Sequence, residues 1–163
     1  MLIKWIKVDI IGCHMFRGSS FHTIDTKGRV IIPKRFRDVI SHRSAPRGLM
    51  VSRMDKSLLV YTLKEWEKIE SRILALAEKN DNMRRFRRVF IGGAFECNWD
   101  KQDRILIPPT LRDYALLDRE IVLVGVLDHF EIWSRENWDK ENTTMEKDMK
   151  KEEVRNEIAK LGI

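Results

Sequence analysis

The sequence is poor in cysteine, in clustered histidines and in long apolar runs. Its only cysteines, Cys13 and Cys97, form no Cys-x-x-Cys pair, and its four histidines are not grouped at metal-ligand spacing. We therefore expect neither a disulfide scaffold nor a zinc site, no metal or other cofactor, and a reducing, cytosolic compartment. No apolar run approaches the ~18 residues that a membrane span requires, so we expect no membrane partner.

The first residues differ in pattern from the rest of the chain. Residues 10–13 resemble a bacterial lipoprotein cleavage box, but charged residues between Lys4 and Asp9 interrupt the apolar segment that a signal peptide needs. Two interpretations of residues 1–14 stay open: an added edge strand, or the product of a start codon set too far upstream. We favour the second, because Met15 begins a more natural chain.

Positive charge is in excess. The chain has 31 Lys and Arg against 25 Asp and Glu, which gives a formal net charge of +6. A basic surplus favours polyanionic partners, although many proteins with other functions carry one. At 163 residues, the chain is long enough for one large core or for two small halves.

One pattern occurs twice, at residues 25–33 and at residues 100–108. Both copies place an acidic residue, a tight turn, an arginine, three branched apolar residues and a proline in the same order. An internal repeat of this kind favours two joined halves rather than one undivided domain.

The first copy predicts a strand, a turn, a return strand and a helix start. Residues 21–24 form the first strand and residues 25–28 the turn, with Gly where a positive φ costs little. Residues 30–32 suit a buried return strand, which Pro33 ends. Arg29, beside the turn, is either pre-organised to meet a partner in solvent or paired with the neighbouring aspartate.

The residues after Pro33 predict a helix with one apolar and one basic face. Phe36, Val39 and Ile40 recur at helical spacing. The basic face carries Lys34, Arg35 and Arg37. Cations in the first turn oppose the helix macrodipole, and an anionic partner would offset that cost; alternatively, the long side chains bend away into solvent.

A second hairpin and a capped helix follow. Residues 49–52 and 58–61 predict the two strands of the hairpin. Thr62 is the expected N-cap, and Glu65 completes a capping box for a helix that runs to Ala77.

A basic helical segment then links the two copies. Residues 83–90 carry four arginines around an apolar stripe, and Gly92-Gly93 ends the segment. These arginines either face solvent, pair with acidic neighbours or contact nucleic acid.

Beyond this linker the first half recurs. Leu111-Arg112-Asp113 corresponds to Phe36-Arg37-Asp38, and Trp138 corresponds to Trp66. Two such halves form an intramolecular version of a symmetric dimer.

The last residues predict a terminal helix that docks on a partner subunit, or a frayed end. We divide the chain into an extension (1–14), a first half (19–66), a helical linker (67–92), a second half (93–138) and a C-terminal helical tail (139–163).

Met15-Phe16-Arg17-Gly18, followed by Asp25-x-x-Gly28-Arg29-x-x-x-Pro33 and by the degenerate copy at residues 100–108, resembles the MraZ family. The resemblance covers residues 15–139. It implies a β-rich α+β fold of two AbrB-like (SpoVT-AbrB) half-domains of the swapped-hairpin type, forming an intramolecular pseudo-dimer. It also implies a cytoplasmic, nucleoid-associated transcriptional regulator, not an enzyme, with no small-molecule substrate. Such regulators bind direct repeats of double-stranded DNA upstream of their own division and cell-wall operon as ring-shaped homo-oligomers.

Carried over by position, the family's DNA-contacting arginines fall on Arg29 and Arg104. Around them the residues themselves suggest a basic surface, in which lysines and helix arginines neutralise phosphates and the two turn arginines contact base edges. The expected DNA-binding residues are Lys27, Arg29, Lys34, Arg35, Arg37, Lys101 and Arg104. The expected turn-shaping residues are Asp25, Gly28, Asp100 and Asp103.

The second copy departs from the family pattern at one position, where Asp103 replaces the usual glycine. Aspartate tolerates the left-handed region better than most residues, so we expect the turn to survive. Its carboxylate is nevertheless expected to compete with phosphate for Arg104. Because Pro109 and Thr110 stand where the first copy has basic residues, we expect the first half to make more of the phosphate contacts.

Two rival functions remain. An enzyme acting on nucleic acid would use acidic residues, and Asp25, Asp55, Asp100 and Asp128 are candidates. Each lies at a predicted turn, however, where aspartate is favoured for local hydrogen bonding. The second rival is an oligomeric scaffold or antitoxin-like protein-binding module without specific DNA recognition, in which the apolar face of the tail is the working surface.

Overall fold

The structure is a computed structural model, and it describes residues 14–43, 48–76 and 80–163. The prediction for residues 1–14 lies outside these ranges apart from its last residue, as does the predicted helix end at Ala77. Among the described residues, no helix is long and apolar enough to cross a membrane.

The chain alternates short strands and helices. The strands are β1 (Ser19–Thr23), β2 (Arg29–Ile31), β3 (Leu49–Met54), β4 (Ser57–Thr62), β5 (Phe95–Cys97), β6 (Arg104–Leu106), β7 (Glu120–Val126) and β8 (His129–Ser134). The helices are α1 (Lys34–Arg43), α2 (Leu63–Ala75), α3 (Asp81–Gly92), α4 (Pro109–Tyr114), α5 (Arg135–Asp148) and α6 (Glu152–Ala159). The predicted β-rich α+β class is confirmed.

Strands from the two halves are interleaved in both sheets. The larger sheet has six strands in the order β1-β7-β8-β4-β3-β5, and the smaller sheet pairs β2 with β6. The pairings are antiparallel. The order is symmetric about the central β8–β4 pair, so each half places one of its outer strands, β1 or β5, beside a strand of the other half.

The predicted pairing of residues 21–24 with residues 30–32 is wrong. The first strand pairs with β7, and β2 pairs with β6, with Val30 opposite Ile105. Two cross-half bonds lengthen this ladder, from Ile32 N to the Asp103 oxygen (3.0 Å) and from Ile107 N to the Gly28 oxygen (2.9 Å). A three-residue strand has few hydrogen bonds of its own, and joining the two copies buries Val30 and Ile105 completely.

The predictions for the second hairpin and for the N-cap of α2 are confirmed. β3 and β4 form the second hairpin, and the predicted N-cap Thr62 accepts a hydrogen bond from Glu65 N at 3.4 Å. Ser134 repeats this cap in the second half by accepting from Asn137 N at 3.1 Å. Matching cap geometry in the two halves follows from the repeated sequence, since a hydroxyl side chain at this position satisfies a free N–H of the first helical turn.

The main core draws equally on the two copies of the motif. Ile32 and Ile107 are both fully buried, as are Val30 in β2 and Ile105 in β6. Phe16, Phe36 and Phe130 pack together beside them with ring centroids 4.9 to 5.4 Å apart. Residues of both halves therefore pack against the buried face of the small β2–β6 sheet.

A second cluster lies beneath α2 and α3. Trp66 is 2% exposed and stacks on Phe90 at 5.3 Å between ring centroids, as expected for a core residue. Its counterpart Trp138 is only half-buried and contacts Trp133 at 5.9 Å. The tail is helical, as predicted, and within the described ranges neither core cluster contains a residue of α6.

Candidate nucleic-acid interface

Each turn of the repeated motif is built around its first aspartate. Asp25 Oδ1 accepts from the backbone N–H groups of Lys27 (3.0 Å) and Arg29 (2.9 Å), while Oδ2 accepts from Arg29 Nε at 2.6 Å. Asp100 makes the corresponding three bonds in the second copy, at 2.8, 3.1 and 2.6 Å. One carboxylate therefore both closes the turn and orients the arginine that follows it.

The two turn arginines are held by one edge of the guanidinium. Within the described part of the chain, Nε is the only side-chain nitrogen of Arg29 or Arg104 that makes a hydrogen bond. Their side chains are 31% and 23% exposed. The Nε atom therefore pairs with the neighbouring aspartate, which was one of the two expected arrangements. Both terminal nitrogens remain available for a ligand.

The β2–β6 ladder places both arginines on the same surface. Arg29 lies opposite Leu106, and Ile31 lies opposite Arg104. Directly opposed and i, i+2 residues share one face of a sheet, so these four side chains form a single outward surface. We call it the ribbon face (Arg29, Ile31, Arg104 and Leu106). From strand dimensions, the two arginine Cα atoms are about 8 Å apart.

The turn aspartates stay ionised at neutral pH. The backbone N–H of Arg29 is the largest cause that lowers the pKa of Asp25, and the Arg29 side chain adds to it. At Asp100 partial desolvation opposes ionisation, but the backbone N–H and guanidinium of Arg104 outweigh it and lower the pKa. Because both values lie below the ordinary 3.8, these pairs are intact above that pH and are lost only as the pH falls through the lowered values.

The irregular turn at Asp103 survives, as predicted. Asp103 has a φ of 60°, and its N–H still donates to the Asp100 oxygen at 3.3 Å. Its carboxylate Oδ2 lies 3.5 Å from Nε of Arg37, which belongs to the first half. A cation from the opposite half thus offsets the charge that we expected to compete for Arg104.

Arg37 and Arg112 brace the turns of the opposite halves. Arg37 Nη1 donates to the Ile32 oxygen at 2.8 Å, and Arg112 Nε donates to the Ile107 oxygen at 3.0 Å. Arg112 also covers Gly28, because a Cβ added to that glycine would lie 2.7 Å from Arg112 Cζ. We expected Arg37 at a phosphate; in the structure its side chain is half-buried and contacts the Ile32 oxygen and the Asp103 carboxylate. Arg112 was missed as a site residue, although its match to Arg37 in the repeat was the available signal.

The remaining predicted contacts are exposed. Lys27 and Lys101 are exposed on the two turns. Lys34 is 76% exposed and pairs with Asp38 at 2.9 Å. Arg35 is exposed, donates to Ser20 Oγ at 3.0 Å and lies 4.3 Å above the ring of Phe36. Lys34 and Arg35 begin α1 shortly after β2 ends, so the first half has basic groups that the second half lacks.

The other candidate acids lie at tight turns. Asp55 has a φ of 52° between β3 and β4, and Asp128 Oδ1 lies 2.7 Å from His129 Nδ1 between β7 and β8. Among the residues that the structure describes, no three acidic, histidine or cysteine side chains converge as metal ligands.

Comparison with known proteins places this repeat in a family. The family model described as MraZ protein, antitoxin-like, matches the chain twice, over residues 15–89 and residues 90–157. The chain belongs to the MraZ family. The resemblance based on the paired motif is therefore confirmed, and the two matches show that the MraZ unit includes the helices after each hairpin.

Several curated MraZ relatives match most of the chain. A protein of Desulforapulum autotrophicum named transcriptional regulator MraZ is 60% identical over 149 residues, which are 91% of this chain and all of that protein. The protein of the same name from Desulfosudis oleivorans is 53% identical over the same shares. That of Syntrophobacter fumaroxidans is 44% identical over 79% of this chain and 85% of its own length. These relatives are named as regulators, not as enzymes.

Proposed function

We propose that this MraZ protein is a sequence-specific, double-stranded-DNA-binding transcriptional regulator that reads base edges with its ribbon face. The observation that carries the proposal is the placement of Arg29 and Arg104 on one outward surface, each tethered through Nε. A tethered arginine loses little further conformational entropy when it binds. The names of the relatives support the same function.

Base contact follows from the shape and chemistry of the ribbon. The major groove of DNA admits a two-stranded β-ribbon, and guanine presents O6 and N7 there as paired acceptors. The free terminal nitrogens of Arg29 and Arg104 suit such acceptors. We further propose that the halves are AbrB-like units of the swapped-hairpin type, which the cross-half pairing of β2 with β6 supports.

Phosphate contact is assigned to the exposed cations around the ribbon. Lys27 and Lys101 extend from the turns, while Lys34 and Arg35 add positive charge in the first half. Each phosphate neutralised steepens the salt dependence of binding, with a slope of about −0.9 per contact in a log–log plot. Arg37 contributes through its support of the Asp103 turn rather than as a contact.

Useful affinity requires several copies. One ribbon reaches few base pairs, and linked copies on successive repeats raise the effective concentration of each for its site. We propose a homo-oligomer, a ring, that binds direct repeats upstream of its own division and cell-wall operon within the cytoplasmic nucleoid.

A titration of labelled duplex tests this function. The probe is the DNA immediately upstream of the gene, and the competitor is the same length of scrambled sequence, at several salt concentrations. Arg29→Ala and Arg104→Ala should each weaken specific binding roughly tenfold or more, because one bidentate arginine–guanine contact contributes about 1–3 kcal/mol and is repeated in every subunit. Arg155→Ala, an exposed arginine of α6, is the matched control and should bind like wild type.

Equal binding of wild type and Arg29→Ala would contradict the proposal.

A specific observation favours a second candidate, an oligomeric scaffold or antitoxin-like module: Leu161 and Ile163 near the end of the chain are 74% and 88% exposed. Removing residues 152–163 separates the two functions. A scaffold would lose its assembly and its activity, whereas a DNA reader would retain specific binding at a single site.

A further inference from the structure

Two aliphatic side chains lie exposed between the arginines of the ribbon face. Ile31 and Leu106 are each 55% exposed, whereas Val30 and Ile105, which point the other way, are fully buried. Single exposed apolar residues are ordinary on protein surfaces. These two, however, occupy the same position in both copies, on the surface that also carries the tethered arginines.

On the ribbon face, arginine and aliphatic side chains alternate both along each strand and across the strand pair. Leu106 is directly opposite Arg29, and Ile31 is directly opposite Arg104. Opposed residues of an antiparallel pair have Cβ atoms about 5 Å apart. Each arginine therefore has an aliphatic neighbour at a distance of one to two base-pair steps, since stacked bases are about 3.4 Å apart.

The charge around this surface suits a polyanion with apolar groups. Lys27 and Lys101 are exposed at the two ends of the ribbon, and within the described ranges neither makes an ion pair. In the major groove, guanine supplies acceptors for arginine, and the C5 methyl group of thymine is the apolar group that protrudes beside them. An apolar side chain next to an arginine matches a thymine next to a guanine.

We infer that Ile31 and Leu106 determine specificity by packing on thymine C5 methyl groups beside the guanines that Arg104 and Arg29 contact. This inference rests on the proposed function. Ile31 is the partner of Arg104 in the pattern and Leu106 is the partner of Arg29, so each half of the protein supplies the aliphatic residue that accompanies the arginine of the other half.

Replacing thymine by uracil tests the inference on the intact protein. The upstream duplex is amplified once with dTTP and once with dUTP, which removes the C5 methyl groups and leaves the Watson–Crick edges unchanged. Wild type should bind the uracil duplex about three- to fivefold more weakly for each methyl group on which an aliphatic side chain packs. The double variant Ile31→Ala/Leu106→Ala should bind both duplexes equally, with an affinity close to that of wild type for uracil DNA.

Leu161→Ala is the matched control variant, because this exposed leucine lies in the tail. It should retain the full sensitivity of wild type to uracil. Circular dichroism and thermal melting show whether the double variant folds, and the wild-type comparison stands without it.

The remaining outcomes overturn the inference in distinguishable ways. Specific wild-type binding that is equal on both duplexes leaves the DNA function intact and rejects the methyl contact. A double variant that remains sensitive to uracil assigns the effect to DNA shape. A double variant that changes its oligomeric size in solution, with no uracil effect in wild type, assigns the surface to contact between copies. If wild type prefers neither duplex over scrambled DNA, the proposed function and the inference fail together.

Discussion

At the scale of the residue, one aspartate in each turn decides how the following arginine is presented. Through Oδ1 it fixes the backbone, and through Oδ2 it holds Nε at 2.6 Å, so the guanidinium is oriented before any ligand arrives. The turn aspartates and arginines could be predicted from the sequence because their chemistry is local. The role of Arg37 could not, since a cation on a helix face looks the same in sequence whether it meets solvent or a distant carboxylate.

Asp103→Gly tests the difference between the two turns. Glycine removes the strain of a φ of 60° but loses the ion pair with Arg37, so we expect the free energy of unfolding to change by no more than about 1 kcal/mol. DNA binding should tighten roughly twofold at low salt, because a negative charge beside the proposed DNA-binding surface is removed. Titrations at two salt concentrations, together with thermal melting, measure both effects.

The control for this prediction is Glu157→Gln, which removes one negative charge from the exposed surface of α6. It should leave DNA affinity unchanged. Equal gains in the two variants would mean that total charge, and not the position of Asp103, sets the affinity.

At the scale of the element, the pairing of the strands was the feature least predictable from the sequence. The apolar pattern of residues 30–32 correctly indicates a strand, although this strand is buried on one face only and Ile31 is exposed. The same pattern occurs at residues 105–107. Hydrophobicity cannot distinguish pairing within one copy from pairing between copies. Which of the two pairings forms depends on how much apolar surface each one buries. That area is determined only when the two halves are assembled.

The segment before β1 shows how closely elements approach each other. Phe16 exchanges two backbone hydrogen bonds of 2.8 Å with Leu127, and Gly125 N donates to the Gly18 oxygen at 2.8 Å. A Cβ added to Gly125 would lie 2.3 Å from Arg17 N, a backbone atom that cannot rotate away. Gly125 is therefore required by the close passage of the opening segment over β7.

Gly125→Ala should destabilise the protein by about 2–4 kcal/mol, because the backbone of residues 16–18 must shift and the packing of Phe16 in the core is disturbed. Urea unfolding followed by tryptophan fluorescence measures the change. Gly92→Ala is the matched control: its Cβ would meet nothing within 4 Å, and the residue lies in α3. It should be neutral or stabilise by roughly 0.5–1 kcal/mol, as alanine does in a helix. A similar loss in both variants would contradict the role of close approach.

At the scale of the whole molecule, the two halves are joined by strand pairing as well as by the chain. β1 pairs with β7, β3 with β5, β4 with β8 and β2 with β6, so separation of the halves would break four ladders. The repeat could be recognised from the sequence, and so could the similarity of the halves. Their exchange of strands could not, and the boundaries drawn between them stay a prediction.

Neither half is expected to fold as a monomer. Residues 15–76 and residues 80–163, produced separately, should be unfolded or should pair with copies of themselves. Each leaves two strands without a partner, β1 and β2 in the first fragment and β5 and β6 in the second. Co-expression should restore a 1:1 complex with native circular dichroism. Light scattering coupled to size exclusion gives the stoichiometry, and a monomeric half that unfolds cooperatively would contradict the expectation.

The unlike residues at Gly28 and Asp103 give the molecule a polarity. A DNA-binding protein made of two identical chains has two identical ends, so it binds a duplex equally well in either direction. Here a glycine covered by Arg112 marks one end and an aspartate paired with Arg37 marks the other. Turning the protein around on a duplex would exchange these ends. If neighbouring copies bind direct repeats as we propose, all of them would therefore have the same orientation.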